Sequence, residues 1–306
     1  MPIREKEKSC PMLPQCLQHR RRSALAATVD AWPELILRIL ILQGGSRPRR
    51  PRNRPEAGAS TRCRGVMALG SGQGHWVLVN MSPAVAHQLD SDPRLHRHAG
   101  LADAQVRAVV LTDPQVDPVG GLLSLRDGAP IDLYATPAVF EQLTTTLPVL
   151  PVLQHYCGVH WHVVPVAGDR RVAEFRVDGL PSLAFTAVAT QAAPPPHLAD
   201  SEPPKVGDSI ALAVQDLDTG QRVFCAPGLA RIGEAELDWM RGADCLLLDQ
   251  QDSPHTGLED PLWMTQLRHL PARHKVLFGP AARASQREAC AGQGIVLAYD
   301  GMEIEI

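Results

Sequence analysis

The stretch from Val106 to Gly128, VRAVVLTDPQVDPVGGLLSLRDG, constrains the fold more than any other part of the chain. It begins as an apolar, β-branched run from Val106 to Leu111. It then breaks into a polar loop carrying Asp113 and Asp117. It closes with Gly120–Gly121 and passes into Leu122, Leu123 and Leu125. A run this short and apolar reads as a buried strand. A strand that ends in an acidic loop before a helix is where α/β proteins often place their chemistry.

The rest of the chain extends that pattern. Residues 35–42, LILRILIL, read as a first buried strand ending at Gly44–Gly45. Val66–Leu69 and Trp76–Val79 flank a glycine turn. Ser82-Pro83 and Thr136-Pro137 each combine a capping hydroxyl with a first-turn proline, so each predicts a helix start. Val119–Arg126 reads as a helix and Ile131–Tyr134 as a strand. Trp161–Val166, Glu174–Val177 and Leu183–Val188 are further strands. Ser209–Gln215 and Gln221–Ala226 make a hairpin about Asp218-Thr219-Gly220. A helix over Gly233–Arg241 precedes strands at Cys245–Asp249, Lys275–Phe278 and Ile295–Tyr299, with a helix between the last two. Strands in two sets with interspersed helices predict an α/β fold, an αββα sandwich of two mixed β-sheets with helices outside.

Domain organisation follows from what cannot join that core. Residues 1–34 carry scattered charge without a sustained period and read as a poorly ordered extension. The single domain spans residues 35–306. Within it, residues 46–62 are rich in Arg and Pro and read as a solvated loop, as does the proline-rich segment 191–206. Residues 20–29 superficially resemble a twin-arginine export signal, but Asp30 and Glu34 interrupt the apolar region such a signal needs.

The formal charge of -3 gives the whole chain no bias toward nucleic acid or an anionic membrane. No apolar run approaches the ~20 residues of a membrane span. With aromatic residues at only 4%, the core must be built from Val, Leu, Ala and Ile. The seven cysteines are odd in number and widely spaced, and no C-x-x-C pair occurs. That indicates neither a structural zinc nor a disulfide framework, and it fits a reducing, cytoplasmic setting. Cys225 and Cys245, in strand-like runs, read as buried thiols.

Four segments that follow strands carry candidate functional groups: Asp113, Gln115 and Asp117; Gln154 and His155 through His160 and His162; Asp208 with Ser209; and Asp249. Carboxylates and histidines gathered from separate strand ends are the material of catalytic metal sites. Each also has a plain structural alternative. Asp113 and Asp117 suit capping of the next helix or turn. His160 and His162 suit a half-exposed strand, His155 a cleft or core position, and Asp208 a turn.

These residues carry a family resemblance. Residues 75–128, followed in order by LTTTLPVL (143–150), VGDSIALAV (206–214), VFCAPGLARIGEAEL (223–237), ADCLLLD (243–249), LPARHKVLF (270–278) and GIVLAYDGMEIEI (294–306), resemble the coenzyme PQQ synthesis protein B family. That family has the metallo-β-lactamase fold, and the resemblance covers roughly residues 60–306, four-fifths of the chain. It implies a role in making pyrroloquinoline quinone (PQQ), as a metal-dependent oxygenase hydroxylating the tyrosine ring of a Glu–Tyr-derived precursor, or as a carrier of PQQ or that precursor. On this reading Asp113, Asp117 and Asp249 are catalytic, and Gln115, His155 and Asp208 bind substrate. Asp113, Asp117 and His155 hold the metal, iron or zinc. The implied partners are a small-molecule or dipeptide precursor, other PQQ-biosynthesis proteins and a second copy of the chain.

Departures from the family pattern open an alternative. The motif Thr-Asp-x-Gln-x-Asp-His is kept at Thr112, Asp113, Gln115 and Asp117, but Pro118 stands in place of the histidine. The glycine-rich turn after the first strand shrinks to Gly44–Gly45, and Arg/Pro sequence replaces the cysteine cluster beyond it. Gly279 stands where a histidine ends the family's late strand. Arg268-His269-Leu270-Pro271 aligns with a different family segment, so His269 receives no ligand role. A metal-free paralogue that binds or carries is the alternative; a metallo-hydrolase is a further one, although its H-x-H-x-D-H set is absent.

Overall fold

The computed structural model describes residues 36–44, 65–95 apart from Gln73, 106–192, 195, 204–227, 233–249, 261–279, 288 and 290–306. The extension over 1–34, the loop over 46–62 and most of the segment 191–206 lie outside the described residues.

Two seven-stranded sheets face each other. The first contains β1 (Arg38–Gln43), β2 (Val66–Gly70), β3 (Trp76–Val79), β4 (Val106–Val110), β5 (Ile131–Ala135), β6 (Val159–Val163) and β14 (Glu303–Glu305). Its order is β14-β1-β2-β3-β4-β5-β6. The second contains β7 (Val172–Phe175), β8 (Leu183–Ala189), β9 (Ile210–Asp216), β10 (Arg222–Ala226), β11 (Cys245–Asp249), β12 (His274–Phe278) and β13 (Val296–Leu297). Its order is β13-β12-β11-β10-β9-β8-β7. Both sheets are mixed: β3 to β6 run parallel, as do β10 to β13, and the remaining pairs are antiparallel. Parallel strands need crossovers, and these supply the helices of the outer layers.

Side-chain alternation divides the apolar residues into three layers. Between the sheets, Ile39, Met67, Val77 and Val110 meet Phe185, Leu212, Cys225 and Leu247. Outside the first sheet, Leu78, Val109 and Leu133 pack with Leu89, Leu122, Val139 and Leu153. Outside the second, Phe224, Leu246 and Leu277 pack with Met240, Met264 and Leu267. The scarcity of aromatics is met as composition demands, by Val, Leu, Ile and Ala, with fully buried Phe185, Phe224 and Phe278 as the large exceptions. Cys225 and Cys245 are buried free thiols. Burial pushes the Cys245 thiol up to about 12, with Asp244 adding to the shift, and burial drives Cys225 well up too. Both stay un-ionised and unreactive.

Local signals explain several boundaries. Helix α3 (Pro137–Thr144) starts where cap and proline predict, with the Thr136 hydroxyl accepting the Val139 N–H at 3.2 Å. Helix α5 (Glu234–Arg241) follows Gly233, whose N–H donates to the Glu236 carboxylate at 2.9 Å. The β9–β10 hairpin turns at Gly220, φ +78°, while Asp216 Oδ1 accepts the N–H of Asp218 at 2.9 Å.

Other expectations need correction. Ser82 does not cap a helix: α1 (Ala86–Ser91) begins later, and the Ser82 hydroxyl donates to Gln43 on β1 instead. The helix expected over Val119–Arg126 is a four-residue α2 (Val116–Val119) running into a 3-10 turn at Gly120–Leu125. Two glycines in succession disfavour continued α-helix. Helices α4 (Val149–Gln154) and α6 (Pro261–His269), and strand β14, were not expected. The first has a proline inside it, and a three-residue strand gives no periodic signal. Strand β6 starts two residues earlier than expected and ends at Val163, and β13 spans only two residues.

Candidate functional site

The C-terminal ends of the parallel strands from both sheets meet at one edge of the sandwich. Ile210 N–H, at the start of β9, donates to the Thr112 carbonyl just past β4 at 2.9 Å. The Thr136 hydroxyl, just past β5, donates to the Gly207 carbonyl at 2.6 Å. Gly279 N–H, just past β12, donates to the Gly44 carbonyl at 3.3 Å. A Cβ on Gly65 would lie 2.7 Å from the Phe278 ring, so only glycine fits where β2 passes β12. This is the edge toward which the acidic loop and Asp249 point.

A buried polar network organises it. Asn80, fully buried at the end of β3, donates from Nδ2 to the Thr112 hydroxyl at 3.0 Å. It accepts the Thr112 N–H on Oδ1 at 3.1 Å. Asp113 is 1% exposed. Its Oδ1 accepts the Gln115 N–H at 3.0 Å and its Oδ2 lies 3.3 Å from the Thr112 hydroxyl. Gln115 is buried and stands at the N-cap of α2. Burying a carboxylate is costly unless hydrogen bonds replace its water, and here they do.

Asp117 lies in the first turn of α2 and is exposed. Next to it, Pro118 is buried, and its carbonyl accepts the Met81 N–H at 2.6 Å. Gly121 N–H donates to the Met81 carbonyl at 2.8 Å. A Cβ on Gly121 would fall 2.3 Å from the Ser82 carbonyl oxygen. The Gly120–Gly121 pair therefore lets the 3-10 turn lie directly on residues 81–82. This fixes the acidic loop from behind.

Asp208 belongs to the same edge. It is half-buried and accepts from Gln142 Nε2 of α3 at 3.0 Å and from the Lys205 N–H. Gly207 precedes it with φ +97° and with the Val166 carbonyl 2.4 Å from where a Cβ would sit. Asp249 closes β11, 8% exposed and in register with Phe278.

His155 is placed elsewhere. It is the exposed C-cap residue of α4, which leads into the start of β6. Because β6 runs parallel to β5, its connection must return to the N-terminal edge of the sheet. Val159 pairs with Ile131, three residues before the Tyr134 level that Val110 reaches, so His155 lies at least about 10 Å down the strands from the acidic loop. His160 and His162, on the outermost strand β6, flank Asp132 of β5, with Asp132 Oδ1 2.9 Å from His162 Nε2 and 3.5 Å from His160 Nδ1. The His162 ring stacks on Tyr134 at 4.4 Å.

The donor set of the described residues does not fit a metal centre. Among the described residues no three His, Cys, Asp or Glu side chains converge to hold an ion. Asp113 is engaged by hydrogen bonds, Asp117 faces solvent, and the position beside it is a proline without a ligand atom. Asn80 is a residue of this edge that sequence reasoning missed. Its signal was a polar residue directly after an apolar strand.

Comparison with known proteins accords with this frame. The Beta-lactamase superfamily domain matches residues 75–280. Coenzyme PQQ synthesis protein B of Klebsiella pneumoniae subsp. pneumoniae is 35% identical over 259 residues, covering 76% of this chain and 82% of that protein. The protein of the same name from Azotobacter vinelandii is 32% identical over 275 residues, covering 81% and 89%. The crystal structure of Zn(2+)-bound PqqB from Methylobacterium extorquens superposes with a TM-score of 0.69 at 21% identity, over 88% of this chain and all of that one. Human tRNase Z, short form, has a TM-score of 0.55 at 15% identity, over 87% and 98%. These two structures share the fold.

Proposed function

Since the chain belongs to the coenzyme PQQ synthesis protein B family, within the beta-lactamase superfamily, we propose that it serves PQQ biosynthesis by binding PQQ or its Glu–Tyr-derived precursor at the strand-end edge, without a catalytic metal. One observation carries this choice over hydroxylation: Pro118, where the family pattern has a histidine, is buried with its carbonyl tied to Met81. Asp113 and Asp249 bring two carboxylates to this edge, and such groups suit a ligand with ammonium or phenolic donors, as a crosslinked Glu–Tyr species has, that joins the hydrogen bonds they already make.

The second reading, metal-dependent hydroxylation of the tyrosine ring, draws support from the retained Thr112-Asp113-x-Gln115-x-Asp117 pattern. Metal analysis of the purified protein, paired with calorimetric titration of PQQ, separates the two. Binding of PQQ by metal-free protein, weakened in Asp113→Asn, supports the first. Stoichiometric iron or zinc that Asp113→Asn abolishes would overturn it in favour of the second. Restoration of PQQ production in a strain lacking the family protein tests the pathway itself.

A further inference from the structure

We propose that Asn80 is a positioning residue: it locks Thr112, and through Thr112 it fixes the direction of the Asp113 carboxylate at the ligand edge. The inference rests on the reading that Asp113 belongs to the functional site.

Asn80 has φ 64°, the one non-glycine residue with positive φ among the described residues. Asparagine tolerates the left-handed region better than most residues, yet the conformation still costs free energy there. Something must hold it. Its N–H donates to the Val110 carbonyl at 2.9 Å, which ties it to β4. The left-handed turn then aims the side chain across at Thr112, where the amide is used in both senses, as acceptor of the Thr112 N–H and donor to its hydroxyl. On the other side, the Thr112 carbonyl accepts from Ile210 of the second sheet. Thr112 is thus held from both sheets, and Asp113 is the next residue.

The hydroxyl proton completes the link. Thr112 Oγ1 has one hydrogen to give. Two acceptors lie within its reach, Asn80 Oδ1 at 3.1 Å and Asp113 Oδ2 at 3.3 Å. Because Asn80 Oδ1 already receives the Thr112 N–H, the charged carboxylate has the stronger electrostatic claim on the hydroxyl proton. The opposite oxygen then receives the Gln115 N–H. A side chain with either an acceptor or a donor alone would leave the hydroxyl free to turn away.

Amide hydrogen exchange at Gln115, alongside PQQ affinity, tests this. Asn80→Gly keeps a residue suited to positive φ and removes the side-chain bonds. Asn80→Asp keeps the acceptor, removes the donor and adds a rival for the hydroxyl proton. Thr112→Val removes the hydroxyl, and Thr112→Ser restores it. Gln115 exchange should quicken about tenfold in Asn80→Gly, Asn80→Asp and Thr112→Val, the scale of one lost charge-assisted hydrogen bond, and return to within about twofold of wild type in Thr112→Ser. PQQ affinity should fall in the same three variants and recover in Thr112→Ser, which a merely stabilising role would not produce. Unchanged Gln115 exchange in the Asn80 variants overturns the inference, and either Asn80 variant suffices if the other does not fold. A wild-type protein that binds no PQQ removes the functional reading alone, and Gln115 exchange still decides whether Asn80 positions Asp113.

Discussion

Two carboxylates on the first sheet, Asp113 and Asp132, sit in opposite circumstances. Asp113 is 1% exposed, and its known partners are a threonine hydroxyl and a backbone amide. Asp132 is 42% exposed at the side chain and shares one oxygen between two histidines on the edge strand. By residue type the second group looks more like a functional centre. By environment the first is far more constrained, because a desolvated carboxylate must keep its partners whereas an exposed one exchanges them for water. Chemical identity alone therefore misleads about which site the fold is built to hold.

The largest expected effect is at the buried member. Asp113→Ala should destabilise the protein by about 3 kcal/mol, since it strands the Gln115 amide inside a packed loop. Urea unfolding checks this, and a loss below about 1 kcal/mol would erase the contrast. Thr136→Val should follow at about 2 kcal/mol, because it removes both the α3 cap and the bond to Gly207 that joins the sheets.

A half-buried histidine sharpens the comparison further. His274, on β12, has its pKa lowered by burial, with Arg273 adding to the shift, and its Nε2 is buried without a partner. The unfolded chain therefore binds the proton more readily than the native protein. The stabilisation is present above the ordinary histidine value and is lost as pH falls through the native one. Thermal unfolding followed from pH 7 to 5 should show a steeper loss in wild type than in His274→Gln. Equal slopes would remove His274 as the cause. Last and smallest, Asp132→Asn should change stability by less than about 0.5 kcal/mol, because the pair it breaks is solvent-screened. Unfolding at low and high salt tests this, and a large, salt-insensitive loss would mean the edge cluster is structural after all.

The sandwich was legible because its signals are local and repeated: β-branched runs, the Thr136-Pro137 cap, the Asp218-Thr219-Gly220 turn. The acidic loop and the strand-end position of Asp249 were legible for the same reason. What stayed hidden depended on distant partners. Ser82 looked like a helix cap, and its hydroxyl instead goes to Gln43 on β1. His155 looked like part of the site because it lay in sequence between strands. The parallel pairing of β5 and β6, which sends it to the far edge, is a tertiary fact. Asn80 offered only a polar residue after an apolar strand, and its left-handed backbone and its bonds to Thr112 are what reveal its importance.

Strand β14 has a consequence for how the protein is made. It closes the first sheet by pairing with β1, so the two partners stand at nearly opposite ends of the described chain. Until residues 303–305 are made and in place, one flank of β1 offers unpaired N–H and C=O groups to any neighbouring chain. Contacts of such long sequence separation also form late. Removing residues 303–305 should therefore promote aggregation out of proportion to the small area they bury.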